Sequence, residues 1–355
     1  MKIIFVLPGI HNHPVGGYKI VYEYANRLTL LGHEVGIVFW CANKAVRWWL
    51  PKCISHVYSQ GCVKIFPSWF KLNKAVKKYC IFNINDKTMP DCDVVIATAV
   101  RTAPLVAALN KIKNKCYFIQ DYENWSVSSE YVNNTYMLGL KNIVIADWLK
   151  IIVDKYASVP SVVVKHGIDF SVFDIDKDID KRNPYTVAML YHSAEYKGSK
   201  YGVEGLKRLK EKYPQLKAYL FGTVKRPEDL PNWIEYTYNA TEKQLRNIYN
   251  NAAIFLYNTI VEGYGLTGAE AMACGCMYVS SDYLGVHEYT ENGRNVILYE
   301  PKNVDSLVEK MDIAIRNDAL RIKIATQGYK DIHTIDWNIQ LKLFEEAITI
   351  NGDMT

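Results

Sequence analysis

No apolar run in the sequence approaches the roughly eighteen residues a membrane span needs. The opening MKIIFVLPG is too short for a secretory signal and reads as a first strand. The eight cysteines, at 41, 53, 62, 80, 92, 116, 274 and 276, include no CxxC pair and no zinc-like spacing. They are therefore expected to be reduced residues of a cytosolic protein. Asn-x-Ser/Thr at Asn124, Asn134 and Asn239 then has no meaning for glycosylation. Low-complexity tracts and internal repeats are absent, and the first glycine-rich turn lacks GxGxxG spacing, which leaves a dinucleotide cofactor poorly supported. Acidic residues are scarce in one half: residues 1–165 hold 20 Lys plus Arg against 10 Asp plus Glu, whereas 166–355 hold 22 against 27. The halves thus carry +10 and −5, which sum to the net +5 of the chain.

The basic half needs a partner or a reason. Nucleic acid, an anionic membrane face, a phosphorylated acceptor and plain solubility are all open on charge alone. Trp, Phe and Leu interleave with Lys and Arg in Ala45-Val-Arg-Trp48-Trp49-Leu and in Pro67-Ser-Trp69-Phe70-Lys71-Leu-Asn-Lys74-Ala-Val-Lys77-Lys78. Such interleaving fits an interfacial membrane contact. A buried aromatic cluster with solvated lysines is the alternative.

What is present describes a globular chain of 355 residues, 49% hydrophobic and 22% charged, long enough for two domains. Residues 2–7 read as a strand, Ile20, Val21, Tyr24, Ala25, Leu28 and Leu31 as a helix closed by Gly32, and 35–39 as a second strand. Gly9, Gly16 and Gly17 lie in the first turn of this βαβ unit. Further strands are predicted at 94–98, 117–120, 143–146 and 162–165. Residues 169–184 turn polar and charged and read as an interdomain linker; their Asp-x-Asp pairs could hold Mg²⁺ or Mn²⁺, but alternate with Ile and Lys with no strand end behind them. A second α/β alternation follows, with strands at 186–190, 216–221 and 254–257 and helices at about 203–212 and 242–249.

The most informative stretch is Glu262-Gly-Tyr-Gly-Leu-Thr-Gly-Ala-Glu270, between a buried strand and an apolar AMAC run that ends at Gly275. Thr267 and Glu270 stand as Thr-x-x-Glu, a capping-box pattern, so strand, glycine turn and helix are expected in that order. Glycines 263, 265 and 268 would let an anion approach the helix N-terminus, making the turn a candidate phosphate cradle. Glu270 could instead only close its box, and Glu262 could be a solvated loop acid. Eight positions along a helix are about 12 Å apart, more than two carboxylates flanking one glycosidic bond tolerate. The two acids are therefore expected to serve different parts of a ligand.

EGYGLTGAEAMACG resembles the E-x7-E signature of the retaining glycosyltransferases of family four. Gly16-Gly17, Val144-Ile-Ala-Asp-Trp-Leu149, Lys165-His-Gly-Ile-Asp169, Lys197-Gly198 and Asn292-Gly293 follow that family's landmarks in order, over nearly the whole chain. The resemblance implies an α/β GT-B fold, two Rossmann-like domains facing across a cleft. The expected division is 1–168 on the acceptor side and 169–336 for the nucleotide-sugar, with a closing helix over about 337–355 packing back on the first. It also implies that Glu270 accepts from the ribose hydroxyls and that Glu262 faces the sugar. The diphosphate would lie on Gly16, Gly17, Lys197 and the backbone of Gly263, Tyr264, Gly265, Leu266 and Thr267, with the base near Gly222, Thr223 and Tyr238.

Two departures stand out. Tyr191-His192 replaces the family's Gly-Arg, so donor phosphate binding through His192 is expected to be weaker or pH-dependent. Where the family places a His, the chain has Gln120-Asp121, and Gln-Asp-Tyr-Glu resembles a branch that includes polysaccharide rhamnosyltransferases, pointing to a dTDP-linked donor. Asp121 would orient the acceptor hydroxyl, or else cap the next helix.

The resulting expectation is a cytoplasmic transferase, with possible peripheral contact on the inner face of the membrane, that extends a surface polysaccharide or glycolipid. It uses no cofactor, no metal and no nucleic acid. A sugar-nucleotide epimerase of the same architecture and a non-catalytic nucleotide- or polyanion-binding protein remain the alternatives.

Overall fold

The computed structural model describes residues 1–41 and 52–349, with the side chains of residues 52 and 53 outside the description. The chain divides into two compact units, one formed by Met1–Lys165 with Asn338–Thr355, the other by His166–Trp337. No described helix is long and apolar enough to cross a membrane.

The first unit runs β1 (Lys2–Leu7), α1 (Gly16–Leu30), β2 (Glu34–Trp40), α2 (Lys52–Ile65), β3 (Lys77–Ile81), β4 (Val94–Ala97), α3 (Ala103–Ala107), β5 (Asn114–Ile119), α4 (Ser129–Thr135), β6 (Lys141–Val144), α5 (Asp147–Val153) and β7 (Val162–Val163). Its seven strands, ordered β3-β2-β1-β4-β5-β6-β7, pair in parallel throughout. A parallel sheet covered on both faces needs continuous apolar strands rather than alternation. Residues 3–7 and 94–97 are accordingly all buried. The helical face anticipated for α1 is buried through Ile20, Val21, Tyr24, Ala25 and Leu28, whereas Leu31, counted in it, caps the helix end and is exposed. Gly32 ends that helix at φ +91°, a left-handed conformation that L side chains rarely adopt.

The second unit runs β8 (Thr186–Leu190), α6 (Ser199–Lys212), β9 (Lys217–Gly222), β10 (Ile234–Tyr238), α7 (Glu242–Asn251), β11 (Ile254–Tyr257), α8 (Leu266–Ala273), β12 (Met277–Ser281), β13 (Ile297–Tyr299), α9 (Val304–Arg316) and α10 (Asp318–Ile332). Its six strands, ordered β10-β9-β8-β11-β12-β13, are also all parallel. Strand order reverses between β8 and β11 here and between β1 and β4 in the first unit. In such sheets the crevice for a ligand opens beyond the carboxyl ends of those strands. A last helix, α11 (Trp337–Thr349), returns to the first unit, where Phe344 stacks on Tyr24 at 4.0 Å and meets Phe118 at 5.2 Å.

Residues 169–184 are not a solvated linker, as composition suggests, but packed chain of the second unit. Arg182, 3% exposed, donates to the carbonyls of Lys177, Tyr249, Ala252 and Cys274 and to the Asn250 side chain. One buried guanidinium thus satisfies several carbonyls and ties the segment to the second unit. The Asp-x-Asp acids are engaged too: Asp174 accepts from the Tyr329 hydroxyl at 3.0 Å, Asp176 grips Arg246 in a fork, and Asp178 pairs with Lys181.

The aromatic and basic stretch after α2 is part buried cluster, part surface. Trp69 and Phe70 pack on Tyr22 at 5.6 and 5.4 Å. Lys77 pairs with Glu34 at 3.3 Å, and Lys78 donates to the carbonyls of Lys64 and Phe66 at 2.7 and 2.9 Å. Burial holds the Lys78 ammonium below its ordinary value, so this lysine is structural rather than offered to a surface. Lys71 and Lys74 remain exposed. Trp48 and Trp49 lie outside the described residues.

Candidate active site

In the second unit the glycine-rich stretch connects β11 to α8 at the switch point. Its residues form no capping box: α8 starts at Leu266 with Gly265 as N-cap, no side chain caps it, and Thr267 and Glu270 both lie within the helix. Gly265 takes over because its φ is +89°, and a Cβ there would lie 2.0 Å from the Tyr283 hydroxyl. Gly268 is excluded from bearing a side chain in the same way, by Tyr278 at 2.4 Å. The Thr-x-x-Gln box that does form is Thr241 with Gln244 on α7, a pattern the sequence carried unread.

The two glutamates have separate surroundings. Glu262 lies in the loop ahead of α8, so the helix-rise separation inferred from sequence does not describe the pair. Its Oε2 is ion-paired with the Lys197 ammonium and accepts from the Tyr257 hydroxyl at 2.9 Å. Glu270, 7% exposed, accepts from the buried Tyr249 hydroxyl at 3.4 Å.

Lys197 and His192 come from the loop after β8. Gly198, at φ +62°, turns the chain into α6, and a Cβ there would press on the Asn258 carbonyl at 2.0 Å, while the Asn258 side chain donates to the Lys197 carbonyl. That packing ties the β8 loop to the β11 loop and brings Lys197 to Glu262. The His192 amide donates to the Ser199 hydroxyl at 2.8 Å, and its Nδ1 accepts from the Ala194 amide at 2.9 Å. A ring whose Nδ1 accepts carries its proton on Nε2. Burial, then the neighbouring Lys197 charge, lowers the His192 pKa. Glu262 opposes that shift in part, and the net effect favours the neutral ring with Nε2–H as its donor.

Beneath the glycine turn lies a group of buried tyrosines that sequence reasoning missed. Tyr289 donates to the Gly265 carbonyl at 2.8 Å, Tyr283 to the Tyr264 carbonyl at 3.4 Å, and Tyr299 to the Tyr257 carbonyl at 3.0 Å. The 26 tyrosines of the composition were the available signal. Parallel pairing of β9 and β10 places Gly222 beside Tyr238, with Tyr238 and Thr223 exposed at that sheet end. Gly222 is itself crowded, its absent Cβ 2.3 Å from the Tyr191 carbonyl.

In the first unit Gly17 and Gln120 are brought together. The Gln120 amide donates to the Gly17 carbonyl at 3.2 Å, and a Cβ on Gly17 would meet that amide at 3.3 Å, whereas Gly16 faces open space. Asp121 accepts from the Tyr122 amide at 2.8 Å and does not cap α4, whose cap is Ser128. Nearby, the Glu123 carboxyl accepts from the Val100 amide at 2.9 Å, and burial pushes its pKa up to about 7, with Asp121 adding to the rise. His11 stands edge-on to Tyr18 at 4.7 Å and His13 at 5.3 Å. Glu123, His11 and His13 were not singled out in the sequence, since no spacing pattern links them.

Comparison with known proteins agrees with this picture. Residues 172–331 match the family described as glycosyl transferases group 1. The chain is 29% identical over 115 residues to the N,N'-diacetylbacillosaminyl-diphospho-undecaprenol alpha-1,3-N-acetylgalactosaminyltransferase of Campylobacter jejuni, covering 31% of each. It is 23% identical over 175 residues to the poly(glycerol-phosphate) alpha-glucosyltransferase of Bacillus subtilis, covering 45% of this chain and 26% of that one. The alignments thus span about a third or less of these two curated relatives. Among solved structures, Anabaena HepE in complex with UDP and glucose superposes with a TM-score of 0.73 at 15% identity, covering 98% of this chain and 99% of the other. S. aureus TarM, in complex with fondaparinux, alpha-GlcNAc-glycerol and UDP, gives 0.74 at 11%, covering 98% and 100%. These likenesses establish the fold, the two-domain α/β architecture of GT-B glycosyltransferases.

Proposed function

From a second unit that carries a glycosyl transferases group 1 domain, we propose that the chain moves a sugar, with retention at the reacting carbon, from a nucleoside-diphosphate donor to a glycan or lipid-linked acceptor in surface polysaccharide synthesis. The observation that carries this reading is the constellation at the switch point: the ion pair of Lys197 and Glu262, the Tyr257 hydroxyl on the same carboxylate, and the start of α8, which no side chain caps. In it Glu270 takes the ribose hydroxyls, Glu262 the sugar, and Tyr238 with Gly222 and Thr223 the base. The relatives named above, whose names specify sugar transfer to lipid-linked or polymeric acceptors, support the substrate class.

When the carbon–oxygen bond of the donor breaks, its electron pair goes to the departing diphosphate. The Lys197 ammonium, the backbone amides around 264–267 and the His192 Nε2–H would stabilise that charge as it develops. The acceptor hydroxyl oxygen bonds to the same carbon, and its proton leaves on the diphosphate. Gln120 and Asp121 belong to the acceptor side, and no divalent metal is required. The chain works in the cytoplasm, at the inner face of the membrane where a lipid-linked acceptor would be met.

A thermal-shift screen of UDP, GDP, dTDP, ADP and CMP tests the donor site first, since a ligand at one hundred times its dissociation constant adds about 2.7 kcal/mol. The nucleotide that stabilises the chain then selects the labelled sugar donor for product analysis with and without an acceptor, in chelator. Turnover only with acceptor is expected. Turnover without one makes the chain an epimerase or hydrolase, restoration only by Mn²⁺ defeats the metal-free account, and Glu262→Gln with unchanged turnover removes Glu262 from the reaction.

A further inference from the structure

The helix α2, KCISHVYSQGCVKI, has two opposed faces. Ser59 and Val63 are buried on one. On the other, Ile54 is 50% exposed, Val57 72%, Tyr58 49% and Ile65 69%. At 100° per residue these four fall within an arc about 100° wide, directly opposite the buried side. A helix that buries one face in a domain ordinarily turns charged and polar side chains to water on the other. This one turns an aliphatic and aromatic stripe outward, and α2 contains no acidic residue.

The charge in the flanking sequence is of one sign. Between Glu34 and Asp86 the sequence has no Asp or Glu and eight Lys plus Arg. Lys77 and Lys78 are taken up by Glu34 and by backbone carbonyls. Lys64 on α2 itself, with Lys71 and Lys74 just beyond it, is exposed.

We propose that the outward face of α2, with the exposed Lys64, Lys71 and Lys74, seats the first unit on an anionic lipid bilayer, the helix lying in the headgroup plane with Ile54, Val57, Tyr58 and Ile65 in the acyl boundary. Aliphatic side chains and a tyrosine at the boundary, with lysines at headgroup level, are the chemistry such a surface rewards. Nucleic acid would use the lysines but leave the aliphatic stripe in water. A second copy meeting this face about a two-fold axis would set the two basic stretches against each other. The inference rests on the lipid-side part of the proposed function, but its test needs no sugar donor.

The full chain is sedimented with vesicles of phosphatidylcholine alone and of phosphatidylcholine with phosphatidylglycerol, at low and high salt. Binding to the anionic vesicles, weakened by salt, is expected. The exposed pair Val57→Glu with Ile65→Glu should lower the partition coefficient about tenfold or more, and Lys64, Lys71 and Lys74 changed together to Glu should abolish the preference for anionic lipid. Far-ultraviolet dichroism and the melting temperature confirm that both variants fold. The nucleotide-induced thermal shift, read on the same samples, reports the donor site separately, so its loss would strike the transferase reading and not this one. No sedimentation of the wild-type chain, equal binding to neutral vesicles, or binding indifferent to Val57→Glu with Ile65→Glu overturns the proposal. So does analytical ultracentrifugation showing a dimer that those two changes dissociate.

Discussion

Tyr257 does its work through another residue. Its hydroxyl holds the same Glu262 oxygen that Lys197 neutralises, and a hydrogen bond to a charged group contributes about 1.5–3 kcal/mol. Tyr257→Phe should therefore lower kcat roughly tenfold or more, with nucleotide affinity and melting temperature nearly unchanged, as steady-state kinetics beside a nucleotide titration would show. Loss of affinity with kcat preserved would place Glu262 on the nucleotide rather than on the sugar. Glu123 gives a pH signature in the first unit. Its carboxyl rises from an ordinary 4.5 to about 7 on folding, so the protonated form favours the folded state. That contribution is fully present below about pH 4.5 and is lost as the pH passes 7. Glu123→Gln keeps an acceptor for the Val100 amide without the charge. It should raise the melting temperature by several degrees at pH 8 and change it little at pH 5, measured by calorimetry at both. At this scale the sequence marked Gly17 and Gln120 separately but did not show that the Gln120 amide packs against Gly17. It was silent on the tautomer of His192, whose Nδ1 accepts from the Ala194 amide of its own loop.

The turn that enters α8 is stabilised from below. Gly265→Ala meets both a left-handed backbone and the Tyr283 hydroxyl, and should cost about 1–3 kcal/mol. Tyr283→Phe removes the atom in the way and the hydrogen bond to the Tyr264 carbonyl together. In urea denaturation the double variant should be less unstable than the two single costs added, by on the order of 0.5–3 kcal/mol. Simple additivity would show that φ alone, and not contact with the tyrosine, selects glycine there. Elements differed in how well they could be read. β1, β2, β4, β8 and β11 are apolar runs inside parallel sheets and were plain from period and composition. β3, β10 and β13 were not anticipated: they are edge strands, and the first two mix exposed with buried positions. β12 is fully buried, and its run after Gly275 was available but overlooked. The start of α8 was placed by a capping rule that assumes a side chain does the capping, whereas here a glycine conformation does it.

At the scale of the molecule, the first unit is discontinuous in sequence and the second is not. Phe344 meets Phe5, Tyr24 and Phe118 within 6.2 Å, and Phe344→Ala should cost the first unit about 3–5 kcal/mol. Scanning calorimetry should show one transition moving down and another, the one a bound nucleotide shifts, staying in place. A single transition displaced as a whole would mean that the units unfold together. Division into two α/β halves was legible because hydrophobic strands recur in two series. The role of residues 169–184 was not, because a buried arginine ringed by carbonyls has the composition of a linker. The same discontinuity sets an order on the ribosome. The strands of the first unit emerge first, yet the aromatic ring that completes its core is made 226 residues after Phe118, roughly eleven to forty-five seconds later at ordinary elongation rates. The second unit, made in between, can finish folding on the nascent chain while the first waits with Tyr24 and Phe118 uncovered. Termination between Trp337 and Phe344 would therefore release a chain with a complete second unit and an unfinished first one, a product for chaperones and proteases.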